Sequence, residues 1–221
     1  MKLVLFDVDG TISDSQAQIC AAMDYGFTEL GLPVPPRAAI LSIVGLSLPE
    51  AVARLVPDQP PAVQDRIVAY YKQSYMAHRK VEPAPLYPGA AELLHRLAAR
   101  EDIFLGVATG KSRRGLEALI AHHGLEGLFF TRQVADDHPS KPHPAMVEAA
   151  LAETGVAPGA AVMIGDTSYD IEMGRAAGVA TIGVAWGYHP VADLVAAGAG
   201  RLVADFAALE AALEEFLGES A

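Results

Sequence analysis

The sequence predicts an α/β protein: a doubly wound parallel sheet with helices on both faces, and an all-helical unit inserted after its first strand. Three observations predict it. From Tyr87 onward, short apolar runs alternate with stretches of helical periodicity, the rhythm of a parallel sheet with crossover helices. Residues 15–84 carry helical periodicity only, and Pro83, Pro85 and Pro88 then stiffen the chain's return. Leu3-Val4-Leu5-Phe6 is apolar at four successive positions, as a strand buried on both faces must be. The predicted division is therefore 1–14 with 85–221 for the sheet-based core, and 15–84 for the helical unit.

Each element has its own signal. After Asp14, Ile19, Ala22, Met23, Phe27 and Leu30 recur at three- and four-residue spacing, with Gly31 as a stop. Pro33, Pro35 and Pro36 precede a helical run over Arg37–Val44. Ser47-Leu48-Pro49-Glu50 reads as a capping box opening a helix through about Val56. Val63, Ile67, Tyr70 and Tyr71 mark a longer helix reaching toward Lys80. In the core, Ala90–Leu97 is a helix and Ile103–Ala108 a strand ending at Thr109-Gly110. Leu116, Leu119 and Ile120 define the next helix, stopped at Gly124. A weaker strand follows around Phe129–Val134, then a loop at Asp136–Pro144 and a helix to Thr154. Ala161–Ile164 is a strand ending at Gly165-Asp166, with a helix toward Ala177. Ala180–Val184, Leu202–Val203 and a helix over Phe206–Leu217 complete the pattern.

The 221 residues are 52% hydrophobic and 19% charged, with a net charge of −11. That balance supports a sizeable core and argues against a nucleic-acid-binding surface. The single cysteine, Cys20, rules out an internal disulfide, suits a reducing compartment, and reads as a small buried side chain. No apolar stretch approaches the roughly 20 residues of a membrane span. Acids within the first ten residues do not fit a signal peptide, so the expectation is a cytoplasmic protein without membrane partners, as monomer or homodimer.

Three predicted strands end in polar residues of different kinds: Asp7 and Asp9, Thr109-Gly110, and Asp166 with Asp170; Lys141 lies in the intervening loop. In a doubly wound sheet such ends can converge on one crevice. Two like charges about 4 Å apart repel by roughly 4 kcal/mol at an effective dielectric near 20. Asp7, Asp9 and Asp166 together thus require a cation, and one lysine does not suffice. Oxygen-only donors suit Mg²⁺, and a phosphate would gain from that ion, from Lys141 and from backbone N–H groups near Gly110.

Asp7-Val8-Asp9-Gly10-Thr11, Thr109, Lys141 and Gly165-Asp166-Thr167-Ser168-Tyr169-Asp170, in that order and spacing, resemble the four motifs of the haloacid dehalogenase-like hydrolases. The resemblance covers essentially the whole chain, and the inserted helices resemble that family's small helical cap. The Gly45-Leu46-Ser47-Leu48 loop and Trp186-Gly187-Tyr188 resemble the phosphoglycolate phosphatases among them. The resemblance implies a Rossmann-like core and a Mg²⁺-dependent phosphatase acting on a small phosphorylated metabolite. It implies that Asp7 attacks phosphorus, Asp9 is the acid and base, and Thr109, Gly110 and Lys141 hold the phosphoryl group. It implies that the Asp7 carboxylate, the Asp9 carbonyl and Asp166 bind the metal, with Asp170 behind Lys141 or a metal-bound water. Two alternatives share the residue set: a phosphosugar mutase of the β-phosphoglucomutase type, and a signalling protein that stores a phosphorylated aspartate.

Other polar residues read structurally. Lys111, Arg113 and Arg114 fit a solvated first helical turn, His122-His123 a helix end, and His143 a loop. Tyr70, Tyr71 and Tyr75 fit packing within the helical unit. Arg37, Arg54, Arg66, Lys72, Arg79 and Lys80 are that unit's candidate cations for a substrate. Gly110-Lys111-Ser112 falls short of a phosphate-binding P-loop, and Asp7–Gly10 of a calcium loop, because the glycines are misplaced.

Overall fold

A computed structural model describes residues 1–81 and 83–218, with backbone only at 78–81, so the side chains of Arg79 and Lys80 lie outside the described residues. Six strands form one parallel sheet: β1 (Lys2–Phe6), β2 (Ile103–Thr109), β3 (Thr131–Val134), β4 (Ala161–Gly165), β5 (Ala180–Val184) and β6 (Arg201–Val203). Their order is β3-β2-β1-β4-β5-β6, so the chain winds outward one way from β1 and the other way from β4. The reversal between these two strands is where such sheets open a crevice.

Alternation along β1 shows why the sheet needs helices on both faces. Val4 and Phe6 join a core with the helices α5 (Ala90–Ala98), α6 (Arg113–His123) and α10 (Phe206–Gly218). Leu3 and Leu5 face the other way, against Met146, Val147 and Ala150 of α7 (Ala145–Thr154) and Met173 of α8 (Ser168–Ala176). Ile171 of that helix also packs on Leu194 and Ala197 of α9 (Val191–Ala197).

The helices α1 (Gln16–Thr28), α2 (Arg37–Leu41), α3 (Leu48–Leu55) and α4 (Pro61–Val81) surround a core of Ile19, Met23, Phe27, Ile40, Val52 and Ile67, which Tyr169 of α8 joins from the sheet side. A Cβ on Gly26 would stand 3.2 Å from the Ile67 carbonyl, so α1 and α4 pack with little room between their backbones. The chain leaves and re-enters the sheet region at one place. Ser13 and Leu86 form an antiparallel bridge, the Asp14 N–H donates to Pro85 O at 2.9 Å, and the Tyr87 N–H donates to Ile12 O at 3.1 Å. No helix among the described residues is long and apolar enough to cross a membrane.

The structure departs from the sequence expectations in three places. The helix expected over Arg37–Val44 stops at Leu41. The Ser42 carbonyl, which a longer helix would use, instead accepts from Tyr169 Oη at 3.0 Å and lies 3.1 Å from His189 Nε2. The capping box expected at Ser47 does not form: Ser47 is at the N-cap without a side-chain bond, and its N–H donates to Ser140 Oγ at 2.8 Å. A complete box occurs at Thr167 with Asp170, opening α8. Helix α9 has no sequence expectation at all. Its seven residues are too few for periodicity to show.

Candidate active site

The two inner strands deliver the central carboxylates. The Asp7 N–H donates to Ile164 O at 2.9 Å, extending the β1–β4 ladder by one step. This bond holds Asp7 beside the end of β4, from which Asp166 follows. Asp7, Asp166 and Asp170 are buried and place one carboxylate oxygen each within 4.8 Å of one another. Lys141, itself 1% exposed, bridges two of them, with Nζ 2.9 Å from Asp7 Oδ1 and 2.6 Å from Asp170 Oδ1.

Each acid has a different set of partners. Asp166 Oδ1 accepts from Thr11 Oγ1 at 2.8 Å, and Oδ2 from the Tyr188 N–H at 2.8 Å. Glycines crowd this carboxylate on two sides. A Cβ on Gly10, which has φ +85°, would stand 2.2 Å from Asp166 Oδ2, and one on Gly187 2.1 Å from Asp166 Cβ. Asp170 spends both oxygens, Oδ1 on Lys141 and Oδ2 on the Thr167 N–H (3.0 Å) and hydroxyl (2.7 Å). Asp7 differs: Oδ2 is buried with no hydrogen-bond partner, and Oδ1 has the Lys141 ion pair without aligned hydrogen-bond geometry. An unpartnered buried carboxylate oxygen is costly. Burial first, then Asp170 and Asp9, push the Asp7 carboxyl up to about 7 against the pull of Lys141. Burial, Asp170 and Asp7 likewise raise Asp166 well above the carboxylate range.

That pattern is what a cation site looks like from its residues. The donors are all oxygen, the negative charge is concentrated, and one carboxylate oxygen awaits a partner. A hard divalent ion fits. Asp7 and Asp166 suit ligation better than Asp170, whose oxygens are already satisfied.

Asp9 stands outside this triad on a second polar network. Its Oδ1 accepts from Ser15 Oγ at 2.6 Å and pairs with Lys111 Nζ at 2.7 Å. Ser15 Oγ also lies 3.1 Å from Tyr188 Oη, which accepts from the Ser15 N–H at 2.9 Å. Lys111 Nζ also donates to Tyr75 Oη on α4 at 3.0 Å. Lys111 is not the solvated residue its position suggested: its side chain is 7% exposed. Burial opposes its charge, but Asp9 and Tyr75 outweigh burial and hold its pKa above the usual lysine value. Arg113 and Arg114 are exposed as expected. Thr109 ends β2, buried, with Oγ1 accepting from the Lys111 N–H at 3.2 Å.

A cavity of about 480 Å³ opens over Asp7, Asp9, Thr109 and Gly110. Its opposite wall belongs to the helical unit, through α1, the α2–α3 loop and α4. That loop touches the sheet end closely: a Cβ on Gly110 would lie 2.4 Å from Gly45 O and 2.7 Å from Leu46 O. Among the cations expected from the helical unit, Lys72 lines the cavity, whereas Arg54 lies over the Tyr169 ring and Arg37 donates to Gln16. His143 is a loop residue, its Nδ1 accepting from the Ala145 N–H, and His123 ties α6 to Ala84 O at 2.8 Å. Ser15, Lys111 and Tyr188 are the site residues that sequence reasoning missed or set aside.

The sequence profile of the haloacid dehalogenase-like hydrolase family matches residues 4–184. A phosphoglycolate phosphatase of Rhodospirillum rubrum is 34% identical over 218 residues, covering 94% of this chain and 89% of that protein. A protein of Dickeya dadantii named "Probable phosphatase IndB" is 34% identical over 201 residues, covering 88% and 86%. The crystal structure of a hydrolase from Pseudomonas syringae superposes with a TM-score of 0.86 over 97% of this chain and 99% of that one, at 24% identity, a likeness of fold.

Proposed function

This chain belongs to the haloacid dehalogenase-like hydrolases, and on that footing we propose that it is a Mg²⁺-dependent phosphatase working through a phosphorylated Asp7. The observation that carries the proposal is Asp7 itself. It is a buried carboxylate at the end of β1, with Oδ2 unpartnered and Lys141 at 2.9 Å from Oδ1, lining a cavity with Asp9, Thr109 and Gly110. Relatives named as phosphatases agree with it.

In the proposed reaction, an Asp7 oxygen attacks phosphorus and the bond to the ester oxygen breaks. Asp9, held by Ser15 and Lys111, gives its proton to the departing alkoxide. It then takes a proton from the water that attacks phosphorus, and cleavage of the aspartyl phosphate restores the Asp7 carboxylate. Thr109 and the backbone beside Gly110 hold phosphoryl oxygens, and Lys141 offsets negative charge as the phosphoryl group moves. Asp170 and Thr167 fix Lys141 in place. Asp7, the Asp9 carbonyl and Asp166 would hold Mg²⁺, which when bound neutralises charge between the carboxylates and the phosphoryl oxygens. The helices α1–α4 are proposed to act as a cap that excludes water, and the single cysteine suits work in the cytoplasm.

The test is phosphate release from a panel of small phosphomonoesters, phosphoglycolate included because relatives bear its name, with Mg²⁺ and with a chelator. Asp7→Asn is expected to reduce turnover by at least about 10³-fold, a loss of roughly 4 kcal/mol in barrier lowering. Wild-type rates from Asp7→Asn, or equal rates with and without Mg²⁺, would overturn the proposal.

A further inference from the structure

The cavity facing Asp7 says more about the alcohol half of the ester than the motifs do. Its wall from the helical unit includes Met23, Ile43, Val44 and Leu46, all buried side chains. Tyr71 and Tyr75, one turn apart on α4, also line it. Their rings lie parallel within 13°, with centroids 5.6 Å apart. Tyr70 turns away to meet Tyr25 edge-on. The tyrosines expected to serve packing alone thus divide: Tyr71 and Tyr75, stacked on each other, pack on the core of the helical unit and also line the cavity.

Charge is distributed in the opposite sense. Among the described lining residues, Lys111 is the one cation buried in the cavity, and Asp9 and Tyr75 already engage it. Lys72 and Arg114 are exposed. A two-carbon carboxylate would find its buried counter-ion committed elsewhere and most of a roughly 480 Å³ cavity unfilled. Cavities of that size hold ligands with ring systems, and flat heteroaromatic rings gain from stacking on aromatic side chains.

We propose that the preferred substrate is a phosphomonoester whose alcohol carries a flat, uncharged ring, such as a nucleoside, seated against Tyr71, Tyr75 and the apolar wall. The proposal rests on the phosphatase reading and names the substrate class of the same site.

The experiment compares kcat/KM for uridine 5′-monophosphate, ribose 5-phosphate and 2-phosphoglycolate, with Mg²⁺ present. Uridine and ribose esters share the phosphorylated carbon and differ by the ring. The expected result is a kcat/KM at least tenfold higher for the uridine ester than for either other compound, carried mainly by KM. Tyr71→Leu should bring the uridine-to-ribose ratio toward one. Titration calorimetry with Asp7→Asn, which binds without turning over, should show the same order of affinities. Equal or better use of 2-phosphoglycolate, or a ratio untouched by Tyr71→Leu in a variant with a wild-type circular dichroism spectrum, would overturn this inference and leave the phosphatase reading standing. No phosphate release from any ester would overturn both.

Discussion

Asp7 and Asp166 are the acids whose protonation the fold perturbs most, and Asp7 is the one at the cavity. Its carboxyl is raised to about 7 by burial and by neighbouring acids, whereas an unfolded aspartate titrates near about 3.9. Between those values the folded protein binds more protons than the unfolded chain, so this group's contribution to stability falls as pH rises. A metal ion bound at Asp7 and Asp166 would displace that proton and relieve the repulsion. Metal-free protein is therefore expected to lose a few degrees of Tm between about pH 5 and about pH 7.5, and Mg²⁺ to raise Tm more at the higher pH. Scanning calorimetry with and without chelator checks both. Asp7→Asn should reduce the metal-free slope and leave the part that Asp166 contributes; an unchanged slope would mean that Asp7 does not set it. At this scale the sequence was informative where chemistry is local. Asp7 and Asp9 share one turn, and Thr167 and Asp170 one helix start. Lys111 was not legible, because its partners Asp9 and Tyr75 lie on distant segments and only the fold brings them to 2.7 and 3.0 Å. Ser15 and Tyr188 escaped for the same reason, 173 residues apart along the chain yet bonded.

Among the elements, the α2–α3 loop is the part of the helical unit whose backbone passes directly over the sheet end. It is bound to the sheet side through Ser42 O, the Ser47 N–H and the close pass of Gly45 over Gly110. Gly110→Ala cannot coexist with that pass, since its Cβ would lie 2.4 Å from a backbone oxygen. The loop must lift, and misplacement by about 1 Å can cost on the order of 10² in rate. We expect kcat/KM to drop by that order while Tm stays near wild type, because the core strands are untouched. Wild-type kinetics from Gly110→Ala would show that the loop is not part of the working site. The elements that sequence reasoning misjudged belong to the same class. Residues 42–44 continue the apolar pattern of α2 yet leave the helix because Tyr169 and His189 take the Ser42 carbonyl. Ser47 has capping-box neighbours yet binds Ser140 through its backbone. Tertiary partners overrode local preference in both. The inner strands β1, β2 and β4 were legible because a doubly buried strand has nothing else to be, whereas the half-exposed edge strands β3 and β6 gave weaker signals.

For the molecule as a whole, the cavity lies between the sheet end and the helices α1–α4, and the chain passes between these parts at Ile12–Asp14 and Pro85–Tyr87. Closure over the proposed aspartyl phosphate is expected to appear, in a beryllofluoride adduct on Asp7 with Mg²⁺, as amide exchange in residues 42–47 slowed by about tenfold or more while β1 stays unchanged. Exchange in 42–47 indifferent to the adduct would argue for a fixed cavity. The paired crossing at Ser13 and Leu86 also bears on chain entropy. From the sheet's standpoint, the roughly 70 residues between those points form a loop whose two ends are already fastened together. Closure entropy grows only with the logarithm of length, so doubling such a loop costs about 0.6 kcal/mol. The sheet and its carboxylates can therefore tolerate large changes in what is threaded through that clasp. A chain so built can acquire new substrates by lengthening, shortening or exchanging one insert, without re-registering a single strand.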